Sequence, residues 1–194
     1  MTYRVVAISR EFGSGGRTIG QKLAERLNVK CYDSELIQKI AQESGFSDDY
    51  VKQEDENKPS YWSTPFFTYN YAVASNQDVI WGAQEKVILD LARDEACVIV
   101  GRCAEYILRD DPRVLKVFIH ADDEKRAQRI VNVYGEKSAS PEKRIRDKDK
   151  QRKAYHAYYT EWEWGDAENY DICLDSARLG IDKCVNILAD LYQY

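Results

Sequence analysis

The chain has 194 residues, with 33 acidic and 28 basic side chains and a formal net charge of −5. This length suits a single domain, residues 1–194, that buries about 70% of the surface its unfolded chain exposes. The negative charge argues against a general nucleic-acid binder. Because no apolar run approaches the ~20 residues of a membrane span, we expect a cytoplasmic protein with no secretory leader and no membrane partner.

The cysteines and histidines argue against a disulfide-stabilised protein and against a structural zinc protein. The five cysteines are odd in number and lack C-x-x-C spacing, which favours free thiols in a reducing compartment over a disulfide framework. The two histidines do not cluster with cysteines or acids. We therefore expect no structural zinc site.

The first predicted elements are a strand over 5–8, a glycine-rich turn and a helix over 18–27. Gly13, Gly15 and Gly16 fall in the turn, where the lack of a Cβ lets the backbone approach an anion. A strand, a glycine turn and a helix N-terminus together direct backbone N–H groups at a phosphate. Thr18 stands where a phosphate-binding loop places its Mg²⁺-holding hydroxyl. The alternative is a tight strand-to-helix turn without a ligand.

The turn departs from the P-loop pattern G-x-x-x-x-G-K-[ST] at the lysine. Ending the pattern on Gly16-Arg17-Thr18 puts Arg17 at that position. The related spacing G-x-x-G-x-G-K-x-T leaves Arg10 at the first glycine and Gly16 at the lysine. Either Arg17 or Arg10 must then carry the charge of the missing lysine.

The rest of the chain alternates apolar runs with helical patterns, which predicts an α/β fold with a parallel sheet. Continuously apolar strands joined by helical crossovers indicate a sheet covered on both faces. We therefore predict a P-loop NTPase fold with a five-stranded parallel sheet, a small helical insert and a mobile lid. Further strands are predicted over 30–32, 97–100, 115–119 and 170–174. Further helices are predicted over 34–43, 73–93, 123–134, 141–159 and 180–192.

The domain divides into a core and two additions. Residues 1–44 and 96–194 form the predicted core, and residues 45–95 form an insert and a connecting helix. The insert is acidic and then aromatic, which fits either a satellite helical core or a pocket for a base or substrate. Its aromatic side chains include Tyr61, Trp62, Phe66, Phe67 and Tyr69.

Polar residues follow the predicted strands at their carboxyl ends, where open parallel sheets bind ligands. Asp33 follows the second strand and either holds a Mg²⁺ water or caps the next helix. Arg102 follows the third strand, where it either binds a phosphate bidentately or forms a salt bridge with Asp33 or Glu105. His120 follows the fourth strand, and we expect it to be packed rather than to act as a base.

A basic run near residues 143–153 is the last candidate. On a helix, Lys148 and Arg152 are four residues apart and share a face. With the flexible link at 135–140, residues 134–153 are predicted to form a lid that closes arginines over phosphates and excludes water. The alternative is a surface helix with solvated charges.

These motifs resemble the cytidylate kinases, and most closely a divergent cytidylate-kinase-like family whose loop reads Ser-Arg-Glu-Phe-Gly-Ser-Gly-Gly-Arg, as residues 9–17 do here. Gly101-Arg102 resembles that family's Gly-Arg after the third strand. Residues 116–126 resemble its fourth strand and lid-entry helix, residues 147–152 its lid segment, and residues 172–176 its final strand.

The resemblance implies phosphoryl transfer from ATP·Mg²⁺ to a small acceptor, first of all a nucleoside monophosphate such as CMP or dCMP. By the same resemblance, the catalytic charges are Arg17, Arg126, Arg129, Lys148 and Arg152. The ATP-binding residues are Gly13, Ser14, Gly15, Gly16, Arg17 and Thr18, with Thr18 and Asp33 at the metal. The substrate-binding residues are Asp33, Ser34, Lys39, Arg102, Asp149 and Arg152.

This chain also departs from the family's pattern. The loop lysine is absent, Lys39 stands in place of a phosphate-binding arginine, and His120 replaces an aspartate. Two other functions therefore stay open: a nucleotide-binding regulatory protein without turnover, and a kinase of a small metabolite. The oligomeric state is expected to be a monomer or a homodimer.

Overall fold

The computed structural model describes residues 3–33, 70–133 and 140–193, together with Leu36, Lys39 and Gly135; the side chains of 70–80 are not described. Its strands are β1 (Val5–Arg10), β2 (Lys30–Tyr32), β3 (Cys97–Val100), β4 (Val114–His120) and β5 (Ile172–Asp175). Its helices are α1 (Gly16–Leu27), α2 (Asn70–Asp94), α3 (Ala104–Ile107), α4 (Asp123–Asn132), α5 (Pro141–Tyr159), α6 (Ser176–Leu179) and α7 (Ile181–Gln193), with a 3₁₀ turn at Ala167–Asn169.

The five strands form one parallel sheet in the order β2-β3-β1-β4-β5. Successive residues of β1 point to opposite faces, as the pleat requires. Val5 and Ala7 pack with α2, while Val6 and Ile8 pack with α1 and α7. The sheet is therefore covered on both faces. The strand order reverses at β1, and such a switch point is where open sheets bind ligands.

Local sequence explains the ends of several helices. The Asp122 carboxylate accepts a hydrogen bond from Lys125 N–H at 2.8 Å and caps α4, as expected of an acid at this position. Pro141 begins α5, where its missing N–H costs nothing. Asp175 caps α6 through the N–H groups of Ala177 and Arg178.

The predicted fold is confirmed, with shifted boundaries. The strand predicted over 170–174 begins later, at Ile172, because the 3₁₀ turn and Tyr170 precede it. Three short elements were not predicted: α3, α6 and the 3₁₀ turn. The predicted helix over 34–43, the aromatic insert and most of the link at 135–140 lie outside the described residues. In the described part of the chain, no helix combines the length and apolar character needed to cross a membrane.

Candidate active site

The glycine-rich turn between β1 and α1 adopts a backbone that other residues would distort. Gly13 and Gly15 have φ angles of +81° and +85°. A Cβ on Gly15 would lie 2.6 Å from Ile181 Cδ1, and one on Gly16 would lie 2.6 Å from Arg10 Cβ. The α1 N-terminus receives no side-chain cap. The turn thus presents backbone N–H groups and a helix N-terminus, which suit an anion.

Two arginines stand beside this turn in place of the lysine. The Arg17 side chain is 58% exposed, and its Nε lies 2.6 Å from Asp33 Oδ2. The Arg10 side chain packs against Gly16 and Gly101. Both arginines line the same cavity, so the structure keeps both as candidates for the missing charge.

The cavity has a volume of about 600 Å³, lies at the carboxyl ends of β1, β2 and β3, and is also lined by α5. Eight predicted site residues are among those lining it: Gly13, Gly15, Gly16, Arg17, Asp33, Arg102, Lys148 and Arg152. Arg10, the other candidate for the charge of the missing lysine, also lines it. So do residues that were not predicted at the site: Ser9, Glu11, Phe12, Gly101, Cys103, Glu105, Gln151, Tyr155, His156 and Trp164.

A left-handed turn places Arg102 in this cavity. Gly101, Arg102 and Cys103 have φ angles of +85°, +61° and +53°, a conformation that costs L-residues energy and often marks functional sites. The turn is held by Gln84, whose Nε2 donates to the Arg102 carbonyl at 2.8 Å. Tyr155 in turn donates to Gln84 Oε1 at 3.0 Å. Burial lowers the pKa of the Arg102 guanidinium, so an anion would stabilise its charge.

Arg126 and Asp149 tie α4 and α5 to the phosphate loop. Asp149 Oδ1 accepts from Phe12 N–H at 2.8 Å, and Arg126 Nε donates to the Phe12 carbonyl at 2.7 Å. Arg126 also pairs with Asp149 and, at 3.0 Å, with Asp123. Its side chain is 4% exposed. This geometry gives both residues a positioning task; their predicted contacts with charge and nucleoside stay predictions.

Of the other predicted catalytic charges on α4 and α5, Arg152 and Lys148 line the cavity, and Arg129 lies at the glycine turn. Arg152 Nη1 donates to the Arg10 carbonyl at 3.2 Å, and its guanidinium lies 5.4 Å from the centre of the Phe12 ring. Lys148 lines the cavity one helical turn earlier. The Arg129 guanidinium lies over Gly15, with Cζ 3.1 Å from where a Cβ would be.

Sequence reasoning missed the functional potential of a buried acid and histidine. The carboxylate of Glu105 in α3 lies 3.3 Å from His156 Nε2 in α5, and both side chains are at most 3% exposed. The imidazole is oriented by Thr160 Oγ1 and the Trp162 carbonyl, 2.8 and 3.1 Å from Nδ1. The one available signal was an acid within the otherwise apolar run of α3. Glu105 pairs with His156, and Asp33 pairs with Arg17; the alternative of an Arg102 salt bridge with either acid stays a prediction.

Ser14, Thr18 and Lys39 are predicted site residues that do not line the cavity. The ammonium of Lys39 is 5.2 Å from the centre of the Tyr32 ring, and Ser34 is outside the described residues. Ser14 is buried, and its hydroxyl donates to the Glu11 carbonyl at 2.9 Å. Thr18 follows the turn in the first turn of α1. Among the described residues, no group of three or more acids, cysteines and histidines could hold a metal ion by itself.

Comparison with known proteins identifies the relatives of this chain. The sequence profile of the cytidylate kinase-like family matches residues 5–178. A cytidylate kinase of Methanosarcina barkeri (strain Fusaro / DSM 804) is 26% identical over 187 residues, which cover 94% of this chain and 93% of that enzyme.

Solved structures give the same fold. An uncharacterized protein from Eubacterium ventriosum is 31% identical and superposes with a TM-score of 0.72, covering 97% of both chains. A shikimate kinase from Acinetobacter baumannii superposes with a TM-score of 0.56 at 16% identity, covering 98% of this chain and 93% of that one. The second likeness is one of fold, which this chain shares with P-loop kinases.

Proposed function

The chain belongs to the cytidylate kinase-like family, and on this premise we propose that it transfers the γ-phosphoryl group of ATP to a nucleoside monophosphate, with CMP or dCMP as first candidates. The observation that supports the proposal most is convergence: the glycine turn, Arg17, Arg102 and Arg152 line one cavity. Phosphoryl transfer depends mainly on positioning and charge neutralisation, which such a set supplies.

The donor side fits a magnesium-bound triphosphate. The positive φ angles of Gly13 and Gly15 and the uncapped α1 N-terminus favour a phosphate chain held by backbone N–H groups. Mg²⁺ usually takes one or two protein oxygens and completes its shell with phosphates and water, and Thr18 and Asp33 would provide those oxygens. Bound ATP·Mg²⁺ supplies the transferable group and neutralises part of its charge.

The acceptor side fits an anion. Arg102 and Arg152 would hold the acceptor phosphate, and Lys148 and Arg129 would neutralise the charge that spreads over the transferring group. An acceptor phosphate oxygen then bonds to the γ-phosphorus as the bond to ADP breaks. Since that oxygen is already an anion at neutral pH, no side chain has to take up a proton.

The direct test is ADP release by the purified protein with ATP and Mg²⁺, against CMP, dCMP, UMP, AMP, shikimate and D-gluconate. We expect CMP or dCMP to raise ADP release above the acceptor-free rate. Turnover with shikimate or D-gluconate alone would instead make the protein a small-metabolite kinase. ATP binding in a calorimetric titration, with no acceptor raising turnover, would make it a nucleotide-binding regulatory protein.

A further inference from the structure

Three buried side-chain atoms have no hydrogen-bond partner within the part of the chain that the structure describes. They are Glu105 Oε2, Gln151 Oε1 and His156 Nε2. Buried polar atoms are nearly always paired, so each exception needs a physical reason. All three residues line the same cavity, although they come from two separate helices. A ligand bound in this cavity would supply the missing partners.

The acid of this group is enclosed and oriented. Glu105 is 1% exposed, and its Oε1 faces His156 Nε2 at 3.3 Å. The ring is fixed from behind by the Thr160 hydroxyl and the Trp162 carbonyl. Since Oε1 faces the imidazole, Oε2 is the oxygen that remains to accept a hydrogen bond from a ligand.

Gln151 connects this group to the phosphate-binding side chains. Lys148, Gln151, Arg152 and Tyr155 all line the cavity from α5, at the three- and four-residue spacing that places side chains on one helix face. Arg102 and Glu105 also line the cavity, from the left-handed turn before α3 and from α3 itself. Both segments therefore bring a cation to the cavity lining together with a buried, unpaired oxygen that can accept a hydrogen bond.

Resting on the proposed function, we propose that Glu105 and Gln151 determine acceptor specificity, with Glu105 Oε2 and Gln151 Oε1 accepting hydrogen bonds from amino or hydroxyl groups of the acceptor. His156 holds the Glu105 carboxylate in place. Either kind of acceptor would present a neutral N–H or O–H donor at a distance from its phosphoryl-accepting group. The donor would be the exocyclic amine of a base such as cytosine, or the hydroxyl groups of a polyol.

At this site a base that carries an amine should bind differently from one that carries a carbonyl oxygen in the same place. Cytosine presents an amine where uracil presents a carbonyl oxygen, and a carboxylate accepts from the first but repels the second. A site that hydrogen-bonds its substrate rejects an analogue that leaves a buried polar group unpaired. We therefore expect binding of CMP in preference to UMP if the donor is a base amine, and binding of D-gluconate if the donors are hydroxyls.

The test measures Kd by calorimetry for CMP, UMP and D-gluconate in the presence of Mg²⁺ and a non-hydrolysable ATP analogue. Glu105→Gln and Gln151→Met keep side-chain size and remove an acceptor, and Glu142→Gln is the matched exposed control. For the compound that the wild type binds, both site variants should weaken affinity by about 10- to 100-fold, with ATP-analogue affinity unchanged. Equal affinity in wild type and both variants would overturn the proposal.

Thermal unfolding of the free protein gives a second readout that needs no acceptor. A carboxylate kept for a ligand costs desolvation in the free state, so Glu105→Gln should melt at or above the wild-type temperature. A purely structural Glu105–His156 pair predicts a Tm lower by roughly 5 °C or more with acceptor affinity unchanged, and that pair of results would overturn the proposal. If the wild type binds an acceptor without turning it over, the proposed function fails while the specificity assignment stands.

Discussion

The two sides of the cavity are built differently. The phosphate loop is one continuous segment, and it offers backbone N–H groups shaped by Gly13 and Gly15. The other side, which we call the floor, consists of Glu105 in α3 with Gln151 and His156 in α5, and it offers buried side-chain atoms. A loop that binds phosphate needs only local backbone geometry. A floor that distinguishes one acceptor needs side chains that tertiary packing brings together.

The largest expected effect is on the loop side. Arg17→Ala removes a cation beside the glycine turn, and if Arg17 stabilises the transferring charge the turnover rate should fall on the order of 100-fold or more. The Arg17–Asp33 pair is largely exposed on its arginine side, so unfolding free energy should change by less than about 1 kcal/mol. Steady-state ADP release and chemical denaturation measure the two effects.

Lys22→Ala is the matched control for Arg17→Ala. Lys22 lies on the same helix and pairs with Asp182 at 2.6 Å through exposed side chains. Its removal should leave turnover unchanged. If Arg17→Ala retains the wild-type rate and only weakens ATP binding, Arg17 acts in nucleotide binding, and Arg10 becomes the candidate for the missing lysine.

A smaller effect is expected where α5 joins the loop. Asp149→Asn keeps an oxygen for Phe12 N–H but removes the negative charge that faces the buried Arg126. Since Arg126 retains contacts with Asp123 and Glu11, unfolding free energy should fall by about 2 kcal/mol, less than for a fully isolated buried charge. The denaturation midpoint at constant m measures this change.

Asp147→Asn is the control for Asp149→Asn. It makes the same change of charge on the same helix at an exposed position, where an effect within about 0.5 kcal/mol is expected. An equal loss in both variants would mean that helix charge, and not the tie to the loop, determines the stability.

The same contrast explains what the sequence could predict. The glycine turn could be predicted because its backbone depends on consecutive residues such as Gly13 and Gly15, while its phosphate-binding role stays a prediction. The parallel sheet was predicted because its strands are continuous apolar runs. Glu105 and His156 are 51 residues apart in sequence, and nothing in their local patterns places them 3.3 Å from each other. Lys39 lies on the Tyr32 ring, a contact that no motif spacing contains.

The smallest expected effect is a difference in cysteine alkylation, which tests whether water reaches the buried group around Glu105. Cys103 lines the cavity next to Arg102 but is 5% exposed. Burial, followed by the charge of Glu105, raises the pKa of its thiol well above the usual range. Since only the thiolate reacts with iodoacetamide, Cys103 in the native protein should stay unmodified at pH 8 while the half-buried Cys31 is alkylated.

Peptide mass mapping over time measures this difference, and the protein unfolded in guanidinium is the control in which all cysteines should react alike. Cys97 is an internal reference, because burial raises the pKa of its thiol to about 12 in the core between sheet and helix. Alkylation of native Cys103 at the rate of Cys31 would mean that water reaches the floor freely. Water would then donate the missing hydrogen bonds to Glu105 Oε2 and Gln151 Oε1. The two sides of the cavity would differ in how they are built from the chain but not in their exposure to water.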